Sequence, residues 1–136
     1  MNLAGYIRVS SEGQIDAFGK DVQREAIVRW AGLNGHTITV WYEEDAVSGT
    51  VDGGDRPMLS LLISEAHKFG KFEGMVAFDS TRLARRSVVQ ETLLALVWSA
   101  GLHVFTTTAG ELAEDDDPTR ILIRQILGVI AEFDHR

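Results

Sequence analysis

The chain has 136 residues and a mass of 15.0 kDa, is 45% hydrophobic and 24% charged, and so has the size and balance of one globular domain. It has no cysteine, which excludes disulfides and thiolate metal sites; with no secretory leader pattern and no bilayer-length apolar run, a cytoplasmic protein without membrane association is expected. A net charge of −7 argues against autonomous tight binding to nucleic acid, yet Arg82, Arg85 and Arg86 cluster apart from the acidity around Glu43-Glu44-Asp45 and residues 111–117, so a local basic site can still hold phosphates.

Strand and helix signals alternate along the chain. Residues 3–9 read as a first strand, in which Tyr6, Arg8 and the following Ser10 share one face while Gly5, Ile7 and Val9 take the other. Residues 21–33 read as a helix with Val22, Ala26, Ile27, Trp30 and Leu33 on its apolar face and Gly35 near its end. The β-branched and aromatic run 37–42 is a second strand. A glycine-rich loop, 48–55, leads to Pro57, which opens a second helix through Leu59, Leu62, Ile63, Ala66 and Phe69 to Gly70.

Residues 74–78 make a short buried strand, 88–100 a helix ending at Gly101, and 102–106 a fourth strand. Asp117-Pro118 supplies a cap and first turn for a last helix running toward Arg136. Its Ile121, Leu122, Ile123, Ile126, Leu127, Val129, Ile130 and Phe133 exceed one narrow stripe, so cover on both sides is expected, from its own domain or from a second copy. No helix-ending signal follows, which suggests a fragment of a longer protein. The alternation predicts an α/β fold with a largely parallel sheet covered by helices. Ligands gather at the carboxyl ends of such strands, where this reading places Ser10, Asp45 and Arg82.

An arginine in an apolar strand is costly to bury without an anionic partner, which makes Arg8 a site candidate. Arg56, Arg82 and Arg85 offer further planar donor pairs suited to phosphate oxygens, and together such groups can stabilise a pentacoordinate phosphorane. The plainer reading of residues 82–86 is a solvated basic turn. Ser10 has no Gly-x-Ser-x-Gly elbow, and His36, His67, His103 and His135 are scattered without ligand spacing. A serine without a histidine but flanked by arginines points away from acyl transfer and toward phosphoryl chemistry. Asp115, Asp116 and Asp117 read as a loop and helix cap rather than a Mg²⁺ site, so neither metal nor cofactor is expected. Two rival classes remain: a metal-dependent nuclease using Glu43, Glu44, Asp45 and Asp79, and a non-catalytic phosphate-binding or oligomerisation module.

The ordered set Tyr6-x-Arg8-Val9-Ser10, Gln23, Asp45-Ala46-Val47-Ser48-Gly49, Arg56-Pro57 and Arg82-Leu83-x-Arg85, closed by Ile130-Ala131-Glu132-Phe133, resembles the serine recombinases over essentially the whole chain. The resemblance implies a resolvase-like catalytic domain over residues 1–136, with a central, mostly parallel sheet of four to five strands, flanking helices and a long C-terminal helix. Residues 118–136 would start that oligomerisation helix, and the DNA-binding region would lie beyond. It implies that Ser10 attacks a phosphate of double-stranded DNA, forming a 5′-phosphoserine link and a free 3′-hydroxyl without metal or ATP. Dimers would assemble into a tetramer that exchanges strands and reverses the attack.

Within that resemblance Arg8, Arg82 and Arg85 match the arginines that bind and activate the phosphate, while Tyr6, Gln23, Ser48 and Arg56 match supporting positions. The acidic position falls on Asp45, or on Glu44 with a one-residue shift. Thr81 stands where many relatives carry an aspartate, so either Asp79 takes that role or the role is dispensable. The loop from 49 to 56 and the ending Ala131-Glu132-Phe133-Asp134 look more like the large phage-type integrases than the small resolvases and invertases. A motif this near Met1 disfavours relatives that place DNA binding first.

Overall fold

In the computed structural model, which describes residues 1–10, 19–46, 56–84 and 87–114 together with Leu122, Gln125, Ile126, Val129, Ile130 and Phe133, the opening apolar run becomes β1 (Asn2–Ser10). It is followed by α1 (Lys20–Leu33), β2 (Thr37–Ala46), α2 (Pro57–Phe69), β3 (Gly74–Ala77), a 3-10 turn (Ser80–Arg82), α3 (Ser87–Ser99), β4 (His103–Thr106) and β5 (Gly110–Glu111). The strands form one sheet in the order β2-β1-β3-β4-β5. All pairs are parallel except β4 with β5, so β1 to β4 end at one edge. This is the expected α/β architecture, a five-stranded, mostly parallel sheet with three helices.

The side-chain period of β1 sorts the core into two layers. Leu3 and Ile7 pack with Val76 and Phe105 against Ile27 of α1, with Trp30, Trp41 and Val9 at the margin. Ala4 and Tyr6 face the other way, with Met75, Ala77 and Val104, toward Leu59 and Leu62 of α2 and Leu94 and Val97 of α3. One helix covers one face and two cover the other.

Three expectations are corrected. The buried stripe of α1 is Gln23, Ile27 and Ala31, whereas Val22 and Leu33 are exposed. The helix is rotated so that a polar residue, Gln23, points inward, where its amide finds a backbone partner on β1. The second strand runs four residues past Tyr42 to Ala46. Glu43, Glu44 and Asp45 are poor strand formers, but they pair in register with Ile7, Arg8 and Val9 of β1, so Asp45 lies within β2 rather than beyond it. Ser10 is likewise the last residue of β1, and the short antiparallel β5 had no counterpart in the expected elements.

The expected loop at 48–55, and Asp115 to Pro118, lie outside the described residues. Of the expected terminal helix, Leu122, Gln125, Ile126, Val129, Ile130 and Phe133 are described; each has helical backbone and an exposed side chain. No described helix is long and apolar enough to cross a membrane.

Gly5 lies opposite Trp41, and a Cβ there would overlap the indole ring. Gly5→Ala is therefore expected to destabilise the domain by about 1–3 kcal/mol, measured by urea unfolding, and trimming the ring with Trp41→Val should recover part of the loss.

Candidate active site at the end of the first strand

β1 is flanked by β2 along its whole length but by β3 only as far as Tyr6, which lies opposite Ala77. Beyond that point the backbone on the β3 side has no strand partner among the described residues, and buried carbonyls require donors. The carbonyl of Arg8 receives two from side chains. Gln23, fully buried on α1, donates from Nε2 at 3.1 Å, and Arg82 donates from Nη1 at 3.0 Å. A helix and a turn from opposite sides of β1 thus meet two residues before Ser10. Arg8 itself is largely buried.

Arg82 owes its place to the 3-10 turn. Asp79 caps that turn, with Oδ1 accepting the backbone N–H of Thr81 at 3.1 Å and the Thr81 hydroxyl as well. The same oxygen lies 3.8 Å from Nε of Arg82. Gln90 on α3 then ties down the chain just beyond, donating to the carbonyl of Ala84.

A second cluster lies on the α2 face. The hydroxyl of buried Tyr6 donates to Oε2 of buried Glu44. Oε1 of Glu44 accepts the backbone N–H of Met58 at 3.1 Å, in the first turn of α2, where N–H groups lack intrahelical partners and negative charge is favoured. Arg56, the N-cap residue of α2, makes no side-chain cap; its charge instead acts on the Tyr6 hydroxyl. Burial, reinforced by Glu44, pushes the Tyr6 phenol well above its ordinary range, and Arg56 opposes this only in part. Glu44 thereby joins the Tyr6 hydroxyl on β1 to the N-terminus of α2 through one carboxylate.

Its neighbours in sequence face the other way. Glu43 pairs with Lys20 and Arg24 of α1, and the exposed Asp45 pairs with Lys20, while Arg24 also stacks over the Trp41 ring at 4.5 Å. Of the two acidic candidates, Glu44 is the one that sits with Tyr6. The signal was available in the period of two, which puts Tyr42 and Glu44 on one face and Glu43 and Asp45 on the other once β2 is carried to residue 46. Glu43 and Asp45 share Lys20 while Glu44 faces Tyr6, and among the described residues no three His, Asp or Glu gather as a metal set.

The structure therefore brings Tyr6, Arg8, Gln23, Arg56 and Arg82 to one end of β1, and sets Asp45 apart on the α1 side. Ser48, Arg85 and the side chain of Ser10 lie outside the described residues. The assembled groups are cationic and hydrogen-bond donating, a set suited to an oxyanion such as a phosphodiester.

Comparisons with known proteins agree in kind. The sequence model described as "Resolvase, N terminal domain" matches residues 3–136. No curated protein matches significantly. Among solved structures, the N-terminal catalytic domain of TP901-1 integrase is similar over 99% of this chain and 97% of its own, at 21% identity and a TM-score of 0.71. A resolvase family site-specific recombinase from Streptococcus pneumoniae follows at 20% identity and 0.70, over 99% and 88%. The C-terminal catalytic domain of ISC1926 TnpA, an IS607-like serine recombinase, reaches 18% and 0.61, over 98% and 83%.

Removing the Tyr6 hydroxyl takes one donor from a buried carboxylate. Tyr6→Phe is expected to cost about 1–3 kcal/mol, Glu44→Ala more, and a double-mutant cycle by urea unfolding should show that the two are coupled. Folded Tyr6 resists ionisation, whereas an unfolded tyrosine ionises near pH 10. Its contribution is thus fully present below that pH and is lost as pH rises above it; Tyr6→Phe should make the alkaline fall in melting temperature shallower.

Proposed function

Because the chain belongs to the resolvase family, and so carries a serine recombinase catalytic domain whose reaction is site-specific DNA recombination through a phosphoserine intermediate, we propose that Ser10 is the nucleophile. Its Oγ attacks the scissile phosphorus and the P–O3′ bond breaks. The serine proton is given up, a proton ends on the 3′ oxygen, and one phosphodiester replaces another, so the step reverses without an external energy source. Arg8 and Arg82, joined by Arg85, bind the phosphate oxygens and offset the charge of the phosphorane. Tyr6, Gln23, Ser48 and Arg56 support them. Glu44 takes the family's acidic position in preference to Asp45.

The observation that carries this reading is the convergence of Gln23 and Arg82 on the carbonyl of Arg8, which orders the strand end bearing Ser10. Residues 1–136 are read as the catalytic domain, acting on double-stranded DNA in the cytoplasm as a dimer that assembles into a tetramer, with the DNA-binding region lying outside it. Residues 118–136 begin a long helix; Leu122, Ile126, Val129, Ile130 and Phe133 are exposed at spacings of three and four, the pattern of a seam for a second copy. The loop from 49 to 56 and the ending Ala131-Glu132-Phe133-Asp134 favour a large phage-type integrase over a small resolvase.

The test is covalent trapping. The chain is incubated with nicked duplex oligonucleotides of randomised central sequence, and adducts are resolved on denaturing gels and mapped by mass spectrometry. An adduct on Ser10 that survives chelation and disappears in Ser10→Ala is expected. An adduct formed equally by Ser10→Ala, or cleavage that requires a divalent ion, overturns the proposal; the latter outcome favours the nuclease reading.

A further inference from the structure

Arg82 reaches the carbonyl of Arg8 from a turn that starts just past the end of β3, so the path of the chain out of that strand decides where its guanidinium falls. The registers of β3 stop at Ala77, opposite Tyr6 on one side and Thr106 on the other. The next residue, Phe78, has left the sheet, and its carbonyl accepts the hydroxyl of Thr107 at 2.7 Å. The backbone N–H of the same threonine donates to the carbonyl of Ala77 at 3.1 Å. One residue thus grips two successive carbonyls where the chain turns toward Arg82.

We propose that Thr107 is a positioning residue for Arg82, and that the turn between β4 and β5 is its mount. A second threonine closes that turn: Oγ1 of the buried Thr106 accepts the N–H of Ala109 at 3.0 Å. Gly110, at a φ of 72°, sends the chain back along β4, and the N–H of Leu112 donates to the carbonyl of Val104 at 2.8 Å. Trp98 of α3 holds the exit, donating from Nε1 to the carbonyl of Leu112 at 3.0 Å. Thr107 therefore projects from backbone fixed on both sides, and its branched Cβ leaves χ1 little freedom. At the other end of the stretch, Gln90 donates to the carbonyl of Ala84. The residues that carry Arg82 are tied at both ends through backbone carbonyls, by side chains from separate elements.

Thr107→Val keeps the branched shape and the backbone bond but loses the hydroxyl, whereas Thr107→Ser keeps the hydroxyl. Ile63→Val, half-buried on α2, lowers stability away from the turn. Adduct formation presupposes Ser10 as the nucleophile, so a readout that needs no chemistry is taken beside it. Wild type and the three variants are compared for adduct formation on the same nicked duplex pool and for melting temperature. Amide hydrogen exchange is followed at Arg82 and Leu83, whose N–H groups donate to the carbonyls of Asp79 and Ser80.

Thr107→Val is expected to slow adduct formation about five- to ten-fold and to speed exchange at Arg82 and Leu83 by a similar factor, the scale of one neutral hydrogen bond. Thr107→Ser is expected to return both toward wild type, and Ile63→Val to change neither. Wild-type adduct formation and exchange in Thr107→Val overturn the proposal. So does a slowing that Thr107→Ser does not relieve, or that Ile63→Val reproduces at the same melting temperature. If wild type itself forms no adduct, the assignment of Ser10 falls instead, and the exchange comparison decides the role of Thr107.

Discussion

A backbone carbonyl buried at the end of a strand has to find a donor, and the end of β1 meets that requirement with side chains rather than a neighbouring strand. As far as Tyr6 the strand is held on both sides. At Arg8 the donors are Gln23 of α1 and Arg82 of the 3-10 turn. The inward rotation of α1, the capping of the turn by Asp79 and the tie from Gln90 to Ala84 all serve the meeting of those two side chains at one oxygen. In a fully paired strand Arg82 would have no such reason to reach across.

The electrostatic arrangement follows from the same strand period. A net charge of −7 describes the chain as a whole, but the acidic run at the end of β2 is divided between two faces. Glu43 and Asp45 are neutralised by Lys20 and Arg24 on the α1 side. Glu44 alone turns toward α2, where it answers the helix terminus and the Tyr6 hydroxyl. The charge of Arg56 acts on that hydroxyl as well. The character of the site depends on which carboxylates face it, and a domain acidic in total keeps a cationic corner.

Much of the architecture could be read from the chain. The alternation of apolar strands with helix-spaced segments led to the parallel sheet, and the period of two in the first strand led to Tyr6 and Arg8 on a common face. Two features escaped because they depend on contacts between distant residues. The length of β2 was hidden because three consecutive acidic residues disfavour a strand until lysine and arginine from α1 neutralise two of them. The buried face of α1 was misread because Gln23 looks like a surface residue until the unpaired carbonyl it serves is known. Asp79 was visible as a nearby carboxylate, but only the structure shows that it caps the 3-10 turn from which Arg82 reaches β1.

The placement of β1 has a consequence for how the protein is made. Leu3 lies opposite Ile38 on one side and Gly74 on the other, and parallel neighbours can be joined only through long crossover connections. Such remote closures are slow, and their entropic cost falls before their contacts repay it. A chain emerging from the ribosome therefore holds its first ten residues, Ser10 among them, well before the turn that carries Arg82 exists to meet them. The end of β1 and the turn that meets it are thus joined only when the sheet is complete.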